Sequence, residues 1–462
     1  MSRKTTEEYI TRKSEQYLGE LPRRKGRVID EVCSTTGLSR KYVINLLNGK
    51  IRYREHKGRG KTYDAKISEL LKKIWREAGC PCAPYFKAAA EQWISEYSQT
   101  VALIKPADKE LLLTMSDRTM SRLLAGEIRI KPGWSKANRH SGRNQTNEIK
   151  EHVPCASGEQ IMACNVPPGD VQVDTFACGG GNAADNFFWI LDGTDRKTQW
   201  TVITPVWNRA QHATLEGLNR IEKRFPFQIL AMHPDNGSEV LNHHVMAHMG
   251  KKPKAPYFWR SRPRHSNDNA HVEEKNRSAG RALFGEYRLD RYDLANELIE
   301  LCDIWSDFRN FFCPCKMLIS KKKRSDGKGF RCIYDKPRTP FERVLEEGVL
   351  DERKRTELIA RRNSLNGIEL HHKVVKKLKR IKRLQEEYNR QKAKGRISGM
   401  GVPPPDSPLR GAPPGTSVRR PAHTRGSYIS KDWNRYFQEK KLSTQFLANQ
   451  KPPAFLAGTL PI

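Results

Sequence analysis

Three acidic positions in the middle of the chain have types and spacings suited to holding a divalent cation. Twelve acids lie between Gly169 and Gly280, and most have ordinary explanations. Asp192 and Asp195 fall where an Asp-Gly hairpin turn is expected, and Glu216 and Glu222 lie on the outer face of an expected helix. Asp174 and Asp235 are different. Asp174 interrupts the otherwise apolar strand VQVDTFA at 171–177, where an ionised carboxylate is unfavourable unless paired or metal-bound. Asp235 follows ILAMHP, just before Asn236-Gly237 turns the chain. Polar groups converge at strand ends along one edge of a sheet. Two carboxylates meeting there can share Mg²⁺, a hard cation that prefers oxygen ligands. A third ligand is expected from a helix packed across that edge. NDNAHVEEKNRS opens such a helix and offers Glu273 and Glu274, which point about 100° apart, so only one can face the site.

Placing these acids requires a sheet. Residues 171–177, 187–195 and 199–206 read as strands, and 209–224 as a helix with Leu215, Leu218 and Ile221 inward. A fourth strand ends at Asp235. Residues 239–249 read as a helix, YFWR as a short fifth strand and 269–287 as a helix. The order β-β-β-α-β-α-β-α, with strands first and alternation later, predicts an α/β core over 166–290 whose mixed sheet carries helices on its faces.

This arrangement resembles the D-D-E catalytic core of retroviral integrases and bacterial insertion-sequence transposases. The residues that carry the resemblance are Asp174 in VQVDTFA, Asp235 in HPDNGSE and Glu273 in NDNAHVE. The last acid of that family stands in V-E-x-x-N, matched by Val272-Glu273-Glu274-Lys275-Asn276, which selects Glu273 over Glu274. The resemblance covers about 120 residues directly. It implies an RNase H-like fold with a mixed five-stranded sheet and flanking helices. Asp174, Asp235 and Glu273 would be both catalytic residues and metal ligands, for two Mg²⁺ (or Mn²⁺) ions per site. Ions ~3.5–4 Å apart can stabilise the attacking and leaving oxygens of an in-line displacement. Asp174 would bridge them. The reaction would be hydrolysis at an element end, then attack of the freed 3′-OH on target DNA, with no Ser or Tyr nucleophile. The family also implies a homo-oligomer on double-stranded DNA. Two departures stand out. The gap between Asp235 and Glu273 is 37 residues, close to the family's usual spacing but not equal to it. Residues 1–130 hold His56 as their sole histidine, so the retroviral zinc module is absent. The rival readings are a catalytically inactive relic that binds DNA sequence-specifically and an RNase H-like nuclease that cuts but does not join.

Around this core the chain is basic. It has 462 residues with 84 Lys and Arg against 52 Asp and Glu, a net charge of +32, which attracts phosphates from a distance. Residues 1–62 read as a helix-turn-helix unit. Val28, Ile29, Val32 and Cys33 have helical spacing, a turn at 35–39 follows, and a second helix carries Val43, Leu46 and Leu47 inward. Ser39, Arg40, Lys41 and Asn45 are its groove candidates, because the start of the second helix meets the bases. Residues 63–130 read as helical, with a second such unit at 115–126 that presents Arg118 and Arg122. Residues 131–165 read as a linker. Arg260, Arg262 and Arg264 precede the Glu273 segment, and Lys275 and Arg277 share it; all five are candidate phosphate contacts.

Residues 291–396 read as mostly helical and basic, with a loop at Lys321, Lys322, Lys323 and Arg324. An amphipathic helix at 373–396 carries 11 Lys and Arg against 2 Glu. Residues 397–462 read as a largely disordered Pro/Gly-rich tail, with a small docking helix at Trp433, Tyr436 and Phe437. Ten cysteines are too few for a disulfide scaffold. The two Cys-Pro-Cys pairs, Cys80/Cys82 and Cys313/Cys315, are spaced too tightly for an ordinary zinc site, so reduced thiols are expected. No apolar run approaches a membrane span, and the N-terminus lacks a signal-peptide core. A cytoplasmic protein is the expectation.

Overall fold

A computed structural model describes residues 3–52, 63–128, 152–155, 166–182, 185–208, 210–234, 239–260, 281–285, 287–325, 327, 329–394 and 430–453. The chain divides into two compact units, Met1–Asp64 and Ala65–Ile462.

The first unit is three helices, α1 (Arg3–Gly19), α2 (Lys25–Thr36) and α3 (Arg40–Leu47). Tyr17, Val28, Ile29, Val32, Val43 and Leu47 form its core. The turn between α2 and α3 depends on Gly37. Its φ of 70° is left-handed, and its N–H returns to the Cys33 carbonyl, a conformation disfavoured for residues with a Cβ. Ser39 is extended at the N-cap position of α3, but its side chain makes no capping bond.

The second unit opens with five helices: α4 (Ala65–Glu77), α5 (Ala83–Ala88), α6 (Ala90–Thr100), α7 (Pro106–Thr114) and α8 (Asp117–Ile128). Ser116 caps α8, its Oγ accepting the Thr119 N–H at 3.2 Å. Met120 and Leu124 are buried there, and Arg118 and Arg122 are exposed. A five-stranded mixed sheet follows. Its strands are β1 (Asp170–Ala177), β2 (Phe188–Asp195), β3 (Thr201–Trp207), β4 (Ala231–Pro234) and β5 (Tyr257–Phe258). They lie in the order β3-β2-β1-β4-β5. The first three are antiparallel, while β4 and β5 run parallel to β1. Strands β1, β2 and β3 are buried along most of their length, as a sheet covered on both faces requires.

One face of the sheet takes α9 (Gln211–Arg224), packed on β2 and β3; α10 (His243–Met249) lies against α9. The other takes α12 (Ala295–Phe312) and α15 (Gly367–Ala393), where Phe176, Ile190, Ile203 and Trp207 meet Leu298, Leu301, Trp305, Val374 and Ile381. Buried Glu96 of α6 holds the start of α15, with Oε2 accepting the Gly367 and Ile368 N–H groups at 2.8 and 3.3 Å. These are two of the donors that a helix N-terminus leaves unsatisfied. A four-residue helix, α11 (Arg281–Phe284), a 3-10 turn (Tyr292–Leu294), β6 (Leu318–Lys323), β7 (Phe330–Tyr334), α13 (Pro340–Glu346), α14 (Glu352–Asn363) and α16 (Ser430–Ala448) complete the described elements.

The structure corrects the sequence reading in two places. Asp192-Gly193 is not a hairpin turn: β2 continues to Asp195 and the chain reverses at 196–200. Gly193 is there for packing, since a Cβ would lie 2.8 Å from Ile221 Cγ2 of α9. The expected loop at Lys321–Arg324 is instead an antiparallel ribbon, β6 with β7. The small docking helix expected at Trp433, Tyr436 and Phe437 falls within α16, which spans residues 430–448 and docks on α10. There Ser443 Oγ is 2.6 Å from His243 Nδ1, Glu439 is 3.0 Å from His244 Nδ1, and the rings of Phe446 and Phe258 meet. The Gln450 side chain accepts the Phe258 N–H, a partner for a strand at the sheet's edge.

Candidate active site

Asp174 lies on the central strand, and the pleat decides what it meets. Successive side chains alternate faces, so Asp174 shares a face with Phe176 and Thr175 points to the other. The register pairs Asp174 with Asp192. Directly opposed residues stand on one face with Cβ atoms ~4.5–5.5 Å apart. Two carboxylates therefore sit side by side in mid-sheet, Asp174 half-buried and Asp192 only 1% exposed. Backbone and hydroxyl donors hold both. The Thr175 N–H donates to Asp174 Oδ1 at 2.7 Å, and the Thr194 hydroxyl donates to Asp192 Oδ1 at 3.0 Å. Asp192 was missed in the sequence because Asp-Gly signals a turn. Counting the alternation onward from Ile190 puts it on the face of Asp174.

The other two expected ligands, Asp235 and Glu273, lie outside the described residues, as do Arg262, Arg264, Lys275 and Arg277. Their flanks are described. β4 ends at Pro234, which pairs with Val173; Asp235 is the next residue in sequence. The segment containing Glu273 leads into α11, where Phe284 meets Phe176 with ring centroids 6.1 Å apart, on the face of Asp174. Glu239 is buried and accepts from the Thr175 hydroxyl at 3.0 Å, which puts it on the opposite face. Among the described residues no group of three or more His, Cys, Asp or Glu is arranged to hold a metal ion. Asp174 and Asp192 do supply adjacent oxygen donors of the kind Mg²⁺ takes.

The far end of β1 is locked by a second acidic pair. Buried Asp170 binds Arg196 at 2.6 Å and accepts from Trp259 Nε1 at 3.2 Å. Burial raises its pKa, and the Arg196 charge opposes that shift. Asp195 accepts from the Gly169 N–H, the Thr198 N–H and the Thr198 hydroxyl, each at 2.7 Å. Burial nevertheless pushes it up to about 6. Asp170 is four residues, or ~13 Å, from Asp174 along the strand. These contacts fix strand register at a distance from the candidate site.

Of the DNA-contact candidates, Ser39, Arg40 and Lys41 are exposed and Asn45 is half-buried. Arg40 makes a salt bridge to Asp30 on α2. Arg260 is half-buried and donates from Nε to the Val153 carbonyl at 3.1 Å, so it fastens residues 153–155 beside β5. Nine described cysteines are free thiols. No helix among the described residues is long and apolar enough to cross a membrane.

No protein-family model matches the chain. It is similar to an uncharacterized protein, y4rM, of Sinorhizobium fredii (strain NBRC 101917 / NGR234). The two are 27% identical over 329 residues, which is 70% of this chain and 91% of that protein.

Proposed function

We propose that the chain is a DNA transposase or integrase with an RNase H-like catalytic core. The observation that carries this reading is the position of Asp174. It stands on the central strand of a β3-β2-β1-β4-β5 sheet, beside a parallel β4 that leads straight into Pro234-Asp235. A parallel neighbour brings the carboxyl ends of two strands to one edge, where ligands bind in such sheets. The segment carrying Glu273 ends with Phe284 against Phe176, on the Asp174 face. This supports a reading in which Asp235 and Glu273, both outside the described residues, are brought to Asp174.

In this reading Asp174, Asp235 and Glu273 hold Mg²⁺, which when bound supplies the charge that stabilises attacking and leaving oxygens. The chain's own part is positional. The Thr175 N–H fixes the Asp174 carboxylate, and β1 is held rigid by burial and by the Asp170 and Asp195 anchors. The net charge of +32 draws duplex DNA to the protein. The helix-turn-helix units would read element ends through Arg40, Lys41, Asn45, Arg118 and Arg122. The test is a labelled duplex bearing the ends of the genomic segment that encodes the protein, incubated with target plasmid and Mg²⁺. End cleavage with joining supports a transposase, cleavage without joining a nuclease, and binding with neither a relic.

A further inference from the structure

The β6–β7 ribbon has the chemistry of a nucleic-acid contact. Its base is anchored. Met317 and Asp335 exchange hydrogen bonds, the Asp335 carboxylate meets Arg343 at 2.6 Å, and buried Arg343 also donates to the Cys315 carbonyl at 2.9 Å. Above that base the strands are open to solvent, with Phe330 64% and Tyr334 53% exposed. An uncovered two-stranded ribbon is marginal by itself, and large exposed aromatics grouped together mark an interaction site.

Register sorts its side chains. Lys323 is opposite Phe330, and Cys332 and Tyr334 continue that face. Lys322 is directly opposite Arg331 on the other face. Like charges so opposed are destabilising without an anion. Residues 316–334 carry seven Lys and Arg against one acid, Asp326. Lys322, Lys323 and Arg331 have no acidic partner among the described residues. On α15 part of the charge is paired: Lys377 and Arg380 meet Glu297 and Glu300, and Lys392 lies 3.7 Å from Asp290.

We propose that this ribbon binds an unpaired DNA strand. Phe330 and Tyr334 stack on bases, while Lys323, paired with Phe330 on the same face, meets a phosphate. Aromatic faces accept any base, because every base has a π-face, whereas paired bases in a closed duplex offer no face to stack on. The proposal goes beyond the catalytic reading and does not require the Asp174 site.

The test uses the full chain with oligodeoxythymidine and a blunt duplex as probes. Phe330→Ala with Tyr334→Ala should weaken single-strand binding at least ~10-fold and leave duplex binding within about twofold. Tyr334→Phe should bind as the wild type, since it keeps the ring. Phe330→Trp should bind with quenched fluorescence. Lys323→Ala should make the slope of log K against log salt shallower by ~0.7, the share of one phosphate on a single strand. Unchanged single-strand affinity in the aromatic variant, or an unchanged salt slope in the basic one, would overturn the proposal. Preference of the ribbon for an acidic peptide over oligodeoxythymidine would do the same. If ribbon variants bind normally while the wild type cleaves DNA, the ribbon assignment fails and the catalytic reading stands. If they lose binding in a protein that cleaves nothing, the ribbon assignment stands and the catalytic reading fails.

Discussion

Asp174 and Asp195 lie on adjacent strands in this sheet, but their surroundings assign them different work. Asp174 is half-buried, accepts the Thr175 N–H, and faces a second carboxylate. Its substitution should therefore affect chemistry more than folding. Asp174→Asn, Asp235→Asn and Glu273→Gln should each lower Mg²⁺-dependent cleavage more than ~100-fold, exceeding the usual effect of losing an outer-shell partner. DNA affinity should stay within a few-fold, and Glu274→Gln should retain substantial activity. Gel assays of cleavage and binding check this; robust cleavage by any of the three would remove that residue from the site. Asp195, fully enclosed, is a stability residue. Its folded pKa of about 6 is above the ~3.9 of an unfolded aspartate. Between those values the folded state keeps a proton that the unfolded chain has released, so stability falls as pH rises from about 4 to 6. Asp195→Asn should flatten that part of the stability profile, while losing ~1–3 kcal/mol where the amide meets a backbone donor. Denaturation midpoints of both proteins across that range decide the matter: identical pH profiles would show that Asp195 does not titrate as described.

At the scale of elements, most of the sheet was legible because alternation and burial spell it out. VQVDTFA is a strand in both accounts, and the β-β-β-α-β-α-β order follows from strand-like runs separated by helical spacing. What sequence could not reveal were features set by tertiary contact. Asp192-Gly193 has the local signature of a turn, yet Gly193 is glycine because α9 presses Ile221 against it. Gly193→Ala should accordingly destabilise the protein by ~1–3 kcal/mol through overpacking. The effect should be less than additive with Ile221→Ala in chemical denaturation, since the two sites share a contact; full additivity would argue against that contact. The Lys321–Arg324 ribbon was hidden for another reason. Its first strand, LISKKK, runs from apolar residues into three lysines, and its second, FRCIY, is short and bounded by a charged loop, so no alternation marks the pair. The α2–turn–α3 pair was readable from Gly37 and its flanking apolar residues. Arg40→Ala with Lys41→Ala should weaken binding to element ends ~10-fold or more while sparing random duplex, as a mobility-shift comparison would reveal. Equal losses on both DNAs would shift recognition toward Arg118 and Arg122.

Over the whole molecule, charge and core were visible in composition, whereas the joining of distant segments was not. The basic helix at 373–396 looked like a surface element, and one side of it is. Its other side, through Val374 and Ile381, completes the core formed by β1–β3 and α12. Helix α16 likewise returns across a long Pro/Gly-rich interval to cover α10 and the edge of β5. Pairings of this kind, such as the 200 residues between His243 and Ser443, leave no local pattern in the sequence. The candidate site was legible to the extent that Asp174 stands where its strand was expected to put it. Its neighbour Asp192 required the register. The most direct measurement of the central claim is Mg²⁺-dependent end cleavage and strand transfer by the wild-type protein, run beside Asp174→Asn at matched DNA occupancy. The account predicts joined products for the wild type and none for the variant. Equal product from both, or none from a wild type that binds the ends tightly, would contradict it.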